Sequence, residues 1–564
     1  MAFIKLGLVH AEALDRDGRL NLIGVEEMLG QEGIPYRTCT PAGLAQAIDE
    51  GVNVILLVDH ACLTAGEEQL LIEVAGELPL VWSGIPREQT ALLDMLGLET
   101  LFVDDVTNLR LIRLGSHPIS APFWHEKETT LRMKFVEHLH ARCPDGAQEI
   151  AALTLGDGMR LGAAAFALGG PPRRVVFTFP LGKVYAYKTS YYTDGDDIDQ
   201  TDFPICTIVD VLRGLLRDAL CWVAGDAILA RKYYWPHRDG IPRGMFSTNH
   251  DLCGYSERGL QYIRRVCEAA GVRTTFFDLY PFRLAPGAGG DHDVCLHAPD
   301  STSYEDALSQ RRALEEHQGI RVRGWRRHGY TAKEHYPAIW HNMIRAGIEW
   351  ASTHNPQTHP FMGSAYHVAT GNRLPGYLVD IEPVERLALL EIPCFDTGDD
   401  DRASNFDYGP KMGWGDFVAT LETRVDYAAR HNLMAGYLIH GWTAGVVEEE
   451  GNSRGALDAQ RMLPLAIETA RRRGMAFMGC EELYDWWMHR RISQVELASS
   501  GVQVEQSSDA WSLVLEFVPP PGRTLQIEID GETADVEVWQ GARGRRYLVP
   551  VPQTCSVRVR SGNK

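Results

Sequence analysis

The run from Met245 to His297 constrains the fold of this chain more than any other, because it reads as two successive β/α units. Its segments are a strand MFSTNHDLCG (245–254), an amphipathic helix RGLQYIRRVCEAAG (258–271), and the strands VRTTFFDLYPF (272–282) and DHDVCLHAPDS (291–301). Asp251 and His297 stand where the first and last of these strands stop. In parallel α/β architectures, residues at the carboxyl ends of strands converge on the active site, so we expect these two side chains to meet there.

The order of these elements resembles the polysaccharide deacetylase, or NodB-homology, family of metal-dependent amide hydrolases. Four further motifs continue the resemblance in the family's order: RGWRRHGY (323–330), AGIEWASTHNP (346–356), LALLEIPC (387–394) and GYLIHGW (436–442). The resemblance covers residues 240–490 and implies a deformed (β/α) barrel there. It also implies a hydrolase that removes acetyl from an N-acetylated amino-sugar glycan or a related acylated substrate, with Zn²⁺ or another divalent metal as cofactor.

Amide hydrolysis explains why such residue types are needed. An acetamide is a poor electrophile with a poor leaving group, so its hydrolysis benefits from a Lewis acid, a base and an acid. The resemblance implies that Asp251 is the base and that His440 is the general acid that protonates the departing amine. It assigns Arg326 to orienting the base or holding the carboxylate product. Candidates for substrate contacts on the same motifs are His328, Trp325 and Trp442.

The expected metal site departs from the family pattern at two positions. His297 is a metal ligand by resemblance, but Cys253 occupies the place of the usual second Asp. A thiolate is a good zinc ligand, so Cys253 either replaces that carboxylate or is a small buried hydrophobe. The family's second metal His is absent after His297, where Asp300 is the conventional ligand within reach and therefore the third candidate.

The alignment of residues 249–253 has an alternative. A shifted alignment would make Asp251 a metal ligand and would place Asn249 or His250 at the position of the base. Such a shift would change which side chain takes the proton from the attacking water.

Two rival functions stay open at the level of sequence. One is a catalytically inactive barrel that has lost its metal triad and that binds glycan or organises partners. The other is a glycoside hydrolase or lyase, which would place two carboxylates about 5 to 9.5 Å apart across a cleft. Those carboxylates would have to come from Glu382, Glu391 or Asp396.

Residues 1–225 show a separate alternation of strands and helices that is typical of a flavodoxin-like, doubly wound domain. This unit resembles the class I glutamine amidotransferase-like domains. In their catalytic members a Cys lies at a sharp strand-to-helix turn, whereas the comparable segment VWSGIPRE (81–88) has none. We therefore expect a non-catalytic domain with a scaffolding or gating role.

Residues 491–564 change character, because short runs of alternating apolar and polar residues are separated by Gly, Pro and Asp. This pattern predicts a small antiparallel β-sandwich as the third domain of an α/β protein. Trp511, Trp539 and Tyr547 would either stack on sugar rings or pack in the core.

The composition limits the classes of partner. The net charge of −20 over 564 residues argues against nucleic acid or an anionic membrane surface. The 11 cysteines have no paired spacing, which is typical of reduced thiols in the cytosol. Neither a signal peptide nor an apolar run of about eighteen residues occurs, so we expect a cytoplasmic protein, with export by another route left open. The indicated partner is carbohydrate, while the sugar and the oligomeric state are not determined by the sequence.

Overall fold

The structure, a computed structural model, is a mixed α/β protein with several β-sheets. It describes residues 2–58, 60–84, 90–104, 110–123, 130–133, 138–142, 144–155, 158–190, 208–253, 256–298, 303–328, 336–354, 371–395, 413–441, 453–499, 501–541 and 544–561. Within these ranges no helix is both long enough and apolar enough to cross a membrane.

The N-terminal region is built on a nine-stranded sheet. In chain order the strands of this region are β1 (Leu6–Val9), β2 (Tyr36–Cys39), β3 (Val54–Val58), β4 (Leu80–Ser83), β5 (Glu99–Asp104), β6 (Arg110–Leu114), β7 (Thr130–Met133), β8 (His138–Arg142), β9 (Gln148–Leu155), β10 (Arg160–Leu168) and β11 (Arg174–Phe177). The order β2-β1-β3-β4-β11 is parallel, and β10, β9, β6 and β7 extend the sheet in antiparallel fashion. Strands β5 and β8 form a separate pair. The helices are α1 (Arg16–Glu32), α2 (Pro41–Asp49), α3 (Ala65–Ala75), α4 (Ala91–Met95), α5 (Leu181–Ser190) and α6 (Ile208–Ala224).

The ends of helix α1 are set by local capping. Asp15 precedes the helix, and its carboxylate accepts a hydrogen bond of 2.7 Å from the backbone N–H of Gly18. The helix stops at Gly33, whose φ of 69° lies in the left-handed region that glycine adopts without steric cost. The parallel strands follow the expected flavodoxin-like alternation. The antiparallel extension was not expected, because runs such as the alanine-rich β10 have low strand propensity.

The central region is a second nine-stranded sheet. Its strands are β13 (Gly244–Asp251), β14 (Thr275–Leu279), β15 (Asp293–Ala298), β16 (Gly324–Arg327), β17 (Trp350–Ala351), β18 (Gly376–Ile381), β19 (Val384–Glu391), β20 (Met434–Leu438) and β21 (Met475–Phe477). Their order in the sheet is β18-β19-β17-β16-β15-β14-β13-β20, and β21 also pairs with β13. All of the pairings are parallel except that of β18 with β19. The accompanying helices are α7 (Glu257–Ala269), α8 (Tyr304–Gln318), α9 (Tyr336–Arg345), α10 (Trp414–His431), α11 (Ser453–Arg472) and α12 (Cys480–Ile492).

The last part of the chain forms two antiparallel sheets. Its strands are β22 (Gln494–Leu497), β23 (Gly501–Glu505), β24 (Val514–Val518), β25 (Leu525–Ile529), β26 (Glu532–Thr533), β27 (Glu537–Gly541), β28 (Gly544–Pro550) and β29 (Thr554–Ser561). One sheet has the order β22-β23-β29-β25-β26. The other begins with β12 (Leu229–Lys232), which pairs with β24 and is followed by β28 and β27. A strand that precedes the central sheet in sequence therefore completes the C-terminal sheets.

A buried cluster of charges joins the N-terminal and C-terminal regions. Glu32, at the end of α1, accepts hydrogen bonds from Arg213, Arg217 and Arg231 at 2.9 to 3.1 Å. Arg231 lies on β12 and also pairs with Glu516 of β24 at 2.5 Å. These side chains are buried, so each charge depends on its partners for the solvation that water would otherwise supply.

Candidate active site

Several of the expected site residues lie at or just after the carboxyl ends of parallel strands in the central sheet. Asp251 is the last residue of β13, His297 is near the end of β15, and Arg326 is near the end of β16. Cys253 follows β13 by two residues, and His440 follows β20 by two residues. Parallel strands of one sheet thus bring together side chains that are far apart in the sequence, as the β/α pattern predicted.

The sheet is strongly curved at this edge. Strands β14 and β15 lie between β13 and β16, so a flat sheet would separate β13 from β16 by about 14 Å. Side chains that stand perpendicular to a flat sheet would not meet across that gap. Arg326 on β16 nevertheless donates a hydrogen bond of 2.9 Å from Nη1 to Oδ1 of Asp251 on β13. The two carboxyl ends therefore face one another, as they do in a barrel.

Arg326 is fully buried and is held by several contacts. Its Nε donates to the backbone oxygen of Ser352 at 3.2 Å, and its Nη2 donates to Oγ of Ser352 at 2.8 Å. The guanidinium carbon lies 3.9 Å from the centroid of the Phe277 ring. With Nη1 on Asp251, the planar guanidinium is fixed between β13 and the segment after β17.

Asp251 is an ionised carboxylate in this environment. Burial alone would raise its pKa, but the positive charge of Arg326 and the neighbouring His297 and His440 outweigh burial and lower the pKa below its usual value. A buried carboxylate that is ionised and close to imidazoles can accept a proton from a water molecule.

The orientation of His297 is fixed by the backbone. Its Nδ1 lies 3.2 Å from the carbonyl oxygen of Arg326, and a carbonyl oxygen only accepts, so Nδ1 donates. In the neutral imidazole this leaves the lone pair on Nε2, which lies 3.8 Å from Oδ2 of Asp251. Imidazoles that bind metals commonly donate their other N–H to a backbone carbonyl in this way.

Cys253, His297 and His328 form a cluster that fits a metal ion. The sulfur and one ring nitrogen of each His all lie within 4.8 Å of one another. The rings of His297 and His328 meet edge to face with centroids 5.2 Å apart. One thiolate and two imidazoles form a donor set that suits Zn²⁺, and three protein ligands leave a fourth position open, as in catalytic zinc sites.

The Cys253 thiol is strongly acidified. Burial raises its pKa, but its interactions with the His297, His328 and His440 side chains outweigh burial and lower the pKa to about 4. A thiol with such a pKa is a thiolate at neutral pH, which is the form that binds metals. Of the two readings that the sequence allowed for Cys253, this environment favours the metal ligand over the buried hydrophobe.

Two of the three expected metal ligands, Cys253 and His297, lie in this cluster. The sequence named Asp300 with Cys253 and His297, but Asp300 lies outside the described residues. His328, which was expected to contact substrate, has its ring beside His297 and is the third member of the cluster. It follows Arg326 by two residues, just after the end of β16. Residues two apart on a strand share a face, so this spacing indicated that His328 lies on the same side of the sheet as Arg326.

Two tryptophans, Trp325 and Trp442, were expected to contact the substrate. Trp325 is only 1 % exposed and packs in the hydrophobic core, so it offers no surface to a substrate and is not retained as a contact. Trp442 lies outside the part of the chain that the structure describes.

The contacts around β13 bear on the choice of alignment. Asn249 accepts a hydrogen bond from the sulfur of Cys480 at 3.2 Å, and Nδ1 of His250 lies 3.1 Å from the carbonyl oxygen of Ile439. Both residues are fully buried. Arg326 and His297 approach Asp251 instead, which favours the alignment in which Asp251 is the base.

Of the carboxylates named for a glycoside hydrolase, the two that the structure describes, Glu382 and Glu391, do not form a pair. Glu391 lies at the carboxyl end of β19, whereas the exposed Glu382 lies before the start of that strand. The eight residues of β19 span about 26 Å at about 3.3 Å per residue, far beyond the separation of about 5 to 9.5 Å that such enzymes use. Asp396 lies outside the described ranges. Glu391 is instead buried, accepting hydrogen bonds from the backbone N–H groups of Thr353 and His354.

Comparisons with known proteins were made at the level of sequence and of structure. No protein-family model and no curated protein sequence match this chain. Among solved structures, the carbohydrate deacetylase Agd3 aligns over 99 % of this chain and 99 % of its own, with a TM-score of 0.44 and 12 % identity. A chitin deacetylase from the fungal pathogen Colletotrichum lindemuthianum covers 43 % of this chain and 87 % of its own, with a TM-score of 0.24 and 12 % identity.

A glutamine amido transferase from Methylobacillus flagellatus also aligns with this chain. It covers 42 % of this chain and 100 % of its own, with a TM-score of 0.26 and 12 % identity. The structural neighbours thus include carbohydrate deacetylases and a glutamine amidotransferase. With TM-scores of 0.44 or less, these similarities assign neither a family nor an activity to this chain.

Proposed function

We propose that this protein is a metal-dependent hydrolase that removes acetyl groups from an N-acetylated amino-sugar glycan or a related acylated substrate. The observation that carries the proposal is the meeting of two arrangements at one sheet edge. Cys253, His297 and His328 form a cluster suited to a metal ion, and the ionised Asp251 lies beside it, hydrogen-bonded to Arg326.

The metal donor set in this proposal is Cys253, His297 and His328. A divalent ion bound there would act as a Lewis acid for the amide carbonyl and would lower the pKa of an attacking water. The thiolate of Cys253 suits Zn²⁺ better than Mg²⁺ or Ca²⁺, which prefer oxygen ligands.

The residues of the chain supply the proton transfers. Asp251 accepts the proton of the attacking water, and Arg326 holds the carboxylate in the orientation that this transfer needs. His440 is half-buried and close enough to lower the pKa of both Asp251 and Cys253. From that position it donates a proton to the departing amine, and this avoids the expulsion of an unstable amide anion.

The test is acetate release from N-acetylglucosamine oligomers by the purified full-length chain. We expect release by the wild type and a loss of about 10²- to 10⁴-fold in Asp251→Asn, which removes one proton-transfer group. Asp278→Asn is the matched control, because Asp278 is a buried carboxylate on β14 that accepts backbone hydrogen bonds from Arg283 and Leu284. If Asp251→Asn still binds metal, its loss of activity comes from the missing proton acceptor and not from a disrupted metal site.

An absence of acetate release from the zinc-loaded wild type over a panel of acetylated glycans would contradict the proposal. In that case a barrel that binds glycan without hydrolysing it would be the better account.

A further inference from the structure

A large cleft lies between the N-terminal region and the C-terminal sheets. Its volume is about 860 Å³, which falls within the range of about 300 to 1,000 Å³ that is usual for small-molecule sites. Its walls come from helix α6, from residues 518–524 after strand β24, and from the β27–β28 hairpin. None of the residues around Asp251 lines it, so this cleft is separate from the candidate active site.

The cleft is lined by more arginines than carboxylates. Its two acids are already paired, because Asp218 accepts from Arg217 at 2.9 Å and Glu516 accepts from Arg231 at 2.5 Å. The other arginines of the lining are Arg173, Arg523 and Arg545.

These three arginines are exposed at the cleft and have no carboxylate partner among the described residues. Arg173 donates to the backbone oxygen of Trp222 at 3.1 Å, and its guanidinium carbon lies 5.3 Å from the centroid of that indole ring. In a chain with a net charge of −20, three arginines around one cleft are a local excess of positive charge. They would attract an anion there.

Part of the remaining lining is apolar, and one segment of it is stiff. Pro519, Pro520 and Pro521 line the cleft in one run, and Trp222 lines it from helix α6. Proline fixes its own φ, so this wall loses little entropy when a ligand binds. An aromatic ring and proline rings offer flat apolar surfaces, which suit the C–H faces of a sugar ring.

From this combination we propose that the cleft binds an anionic saccharide, through its carboxylate or phosphate groups. Arginine binds both groups through paired N–H donors, and the apolar wall covers the ring that carries them. The site would hold a glycan or sugar phosphate away from the candidate active site. The proposal does not depend on hydrolytic activity.

The test is isothermal titration of the full-length protein with tri-galacturonate, glucose 6-phosphate and the neutral maltotriose. We expect at least one of the two anions to bind and maltotriose to bind at least tenfold more weakly. The double variant Arg523→Gln/Arg545→Gln should raise the Kd of that anion at least tenfold, since it removes two charged donors. Both side chains are exposed and unpaired, so the variant should keep the wild-type unfolding transition. Arg312→Gln, on the exposed face of α8, is the control and should leave the Kd unchanged.

The pattern of binding also identifies the anionic group. Binding of tri-galacturonate alone assigns a uronate ligand, and binding of glucose 6-phosphate alone assigns a phosphosugar. Failure of both anions to bind at millimolar concentration would overturn the proposal. So would equal binding of maltotriose, or an unchanged Kd in the double variant.

Discussion

At the scale of single residues, Arg326 joins strand β16 to Asp251 and to the segment after β17. Its three nitrogens contact Asp251, the Ser352 carbonyl and the Ser352 hydroxyl. A lysine could replace the positive charge but not the three N–H donors that the planar guanidinium holds in fixed directions. The geometry, more than the charge, is therefore what Arg326 contributes to the site.

We expect Arg326→Lys to lower kcat/KM for acetate release by about 10²-fold, an effect of about 2.7 kcal/mol on the barrier. Bound metal should be unchanged, because Arg326 is not among the donor cluster. Steady-state kinetics together with metal analysis measures both effects. Arg321→Lys is the control, since that side chain is largely exposed. Wild-type kinetics in Arg326→Lys would refute the role assigned to the guanidinium.

At the scale of elements, the short strand β17 is stabilised by its neighbour β19. Glu391 ends β19 and accepts hydrogen bonds from the backbone N–H groups of Thr353 and His354 and from the Thr353 hydroxyl. Burial raises the pKa of Glu391 to about 7, against the opposing effect of these hydrogen bonds. Since Ser352 adjoins this segment and holds Arg326, Glu391 supports the site indirectly.

Glu391→Leu should lower the free energy of unfolding by about 1 to 3 kcal/mol for each buried N–H that it leaves unpaired. Glu391→Gln keeps an acceptor and should cost less. Urea unfolding measures both variants. Equal stability of Glu391→Leu and the wild type would contradict this role. Acetate release should fall more in Glu391→Leu than in Glu391→Gln, because the segment that holds Arg326 loosens.

Individual helices and strands were predictable from the sequence, whereas the pairing of distant strands was not. Local patterns foresaw helix α7, strands β13 to β15 and the position of Asp251 at a strand end, because periodicity and strand ends are short-range signals. Strand β16 was expected from the family resemblance alone. Local patterns did not foresee the pairing of β12 with β24, which joins residues more than 280 positions apart. The contacts of Ser352 and Glu391 were missed for the same reason, since packing between distant strands determines them.

At the scale of the whole molecule, the buried charges around Glu32 connect α1, α6, β12 and β24. Removing one partner of a buried charge cluster leaves the others unpaired and costs about 3 to 5 kcal/mol. We expect Glu32→Gln to lower the free energy of unfolding by about that amount in urea titrations. Glu528→Gln is the control, because its pair with Arg560 is at the surface and contributes little.

The stability that Glu32 provides should depend on pH. Burial opposes its ionisation, but Arg217, Arg231 and Arg213 outweigh burial and lower its pKa from 4.5 to about 2. A lowered folded-state pKa stabilises the folded protein above pH 4.5, and this contribution is lost as the pH falls from 4.5 towards 2. The stability difference between wild type and Glu32→Gln should therefore shrink across that window. A difference that stays constant there would show that the ion pairs are not its source.

Metal content tests most directly whether Cys253, His297 and His328 hold a metal ion beside Asp251. Elemental analysis of the zinc-incubated and dialysed protein should give about one equivalent for the wild type, as expected for a three-ligand catalytic site. Cys253→Ala, His297→Ala and His328→Ala should each lose most of that metal, while the control His237→Ala should retain it. A wild type that stays free of metal, or three ligand variants that keep a full equivalent, would contradict the account.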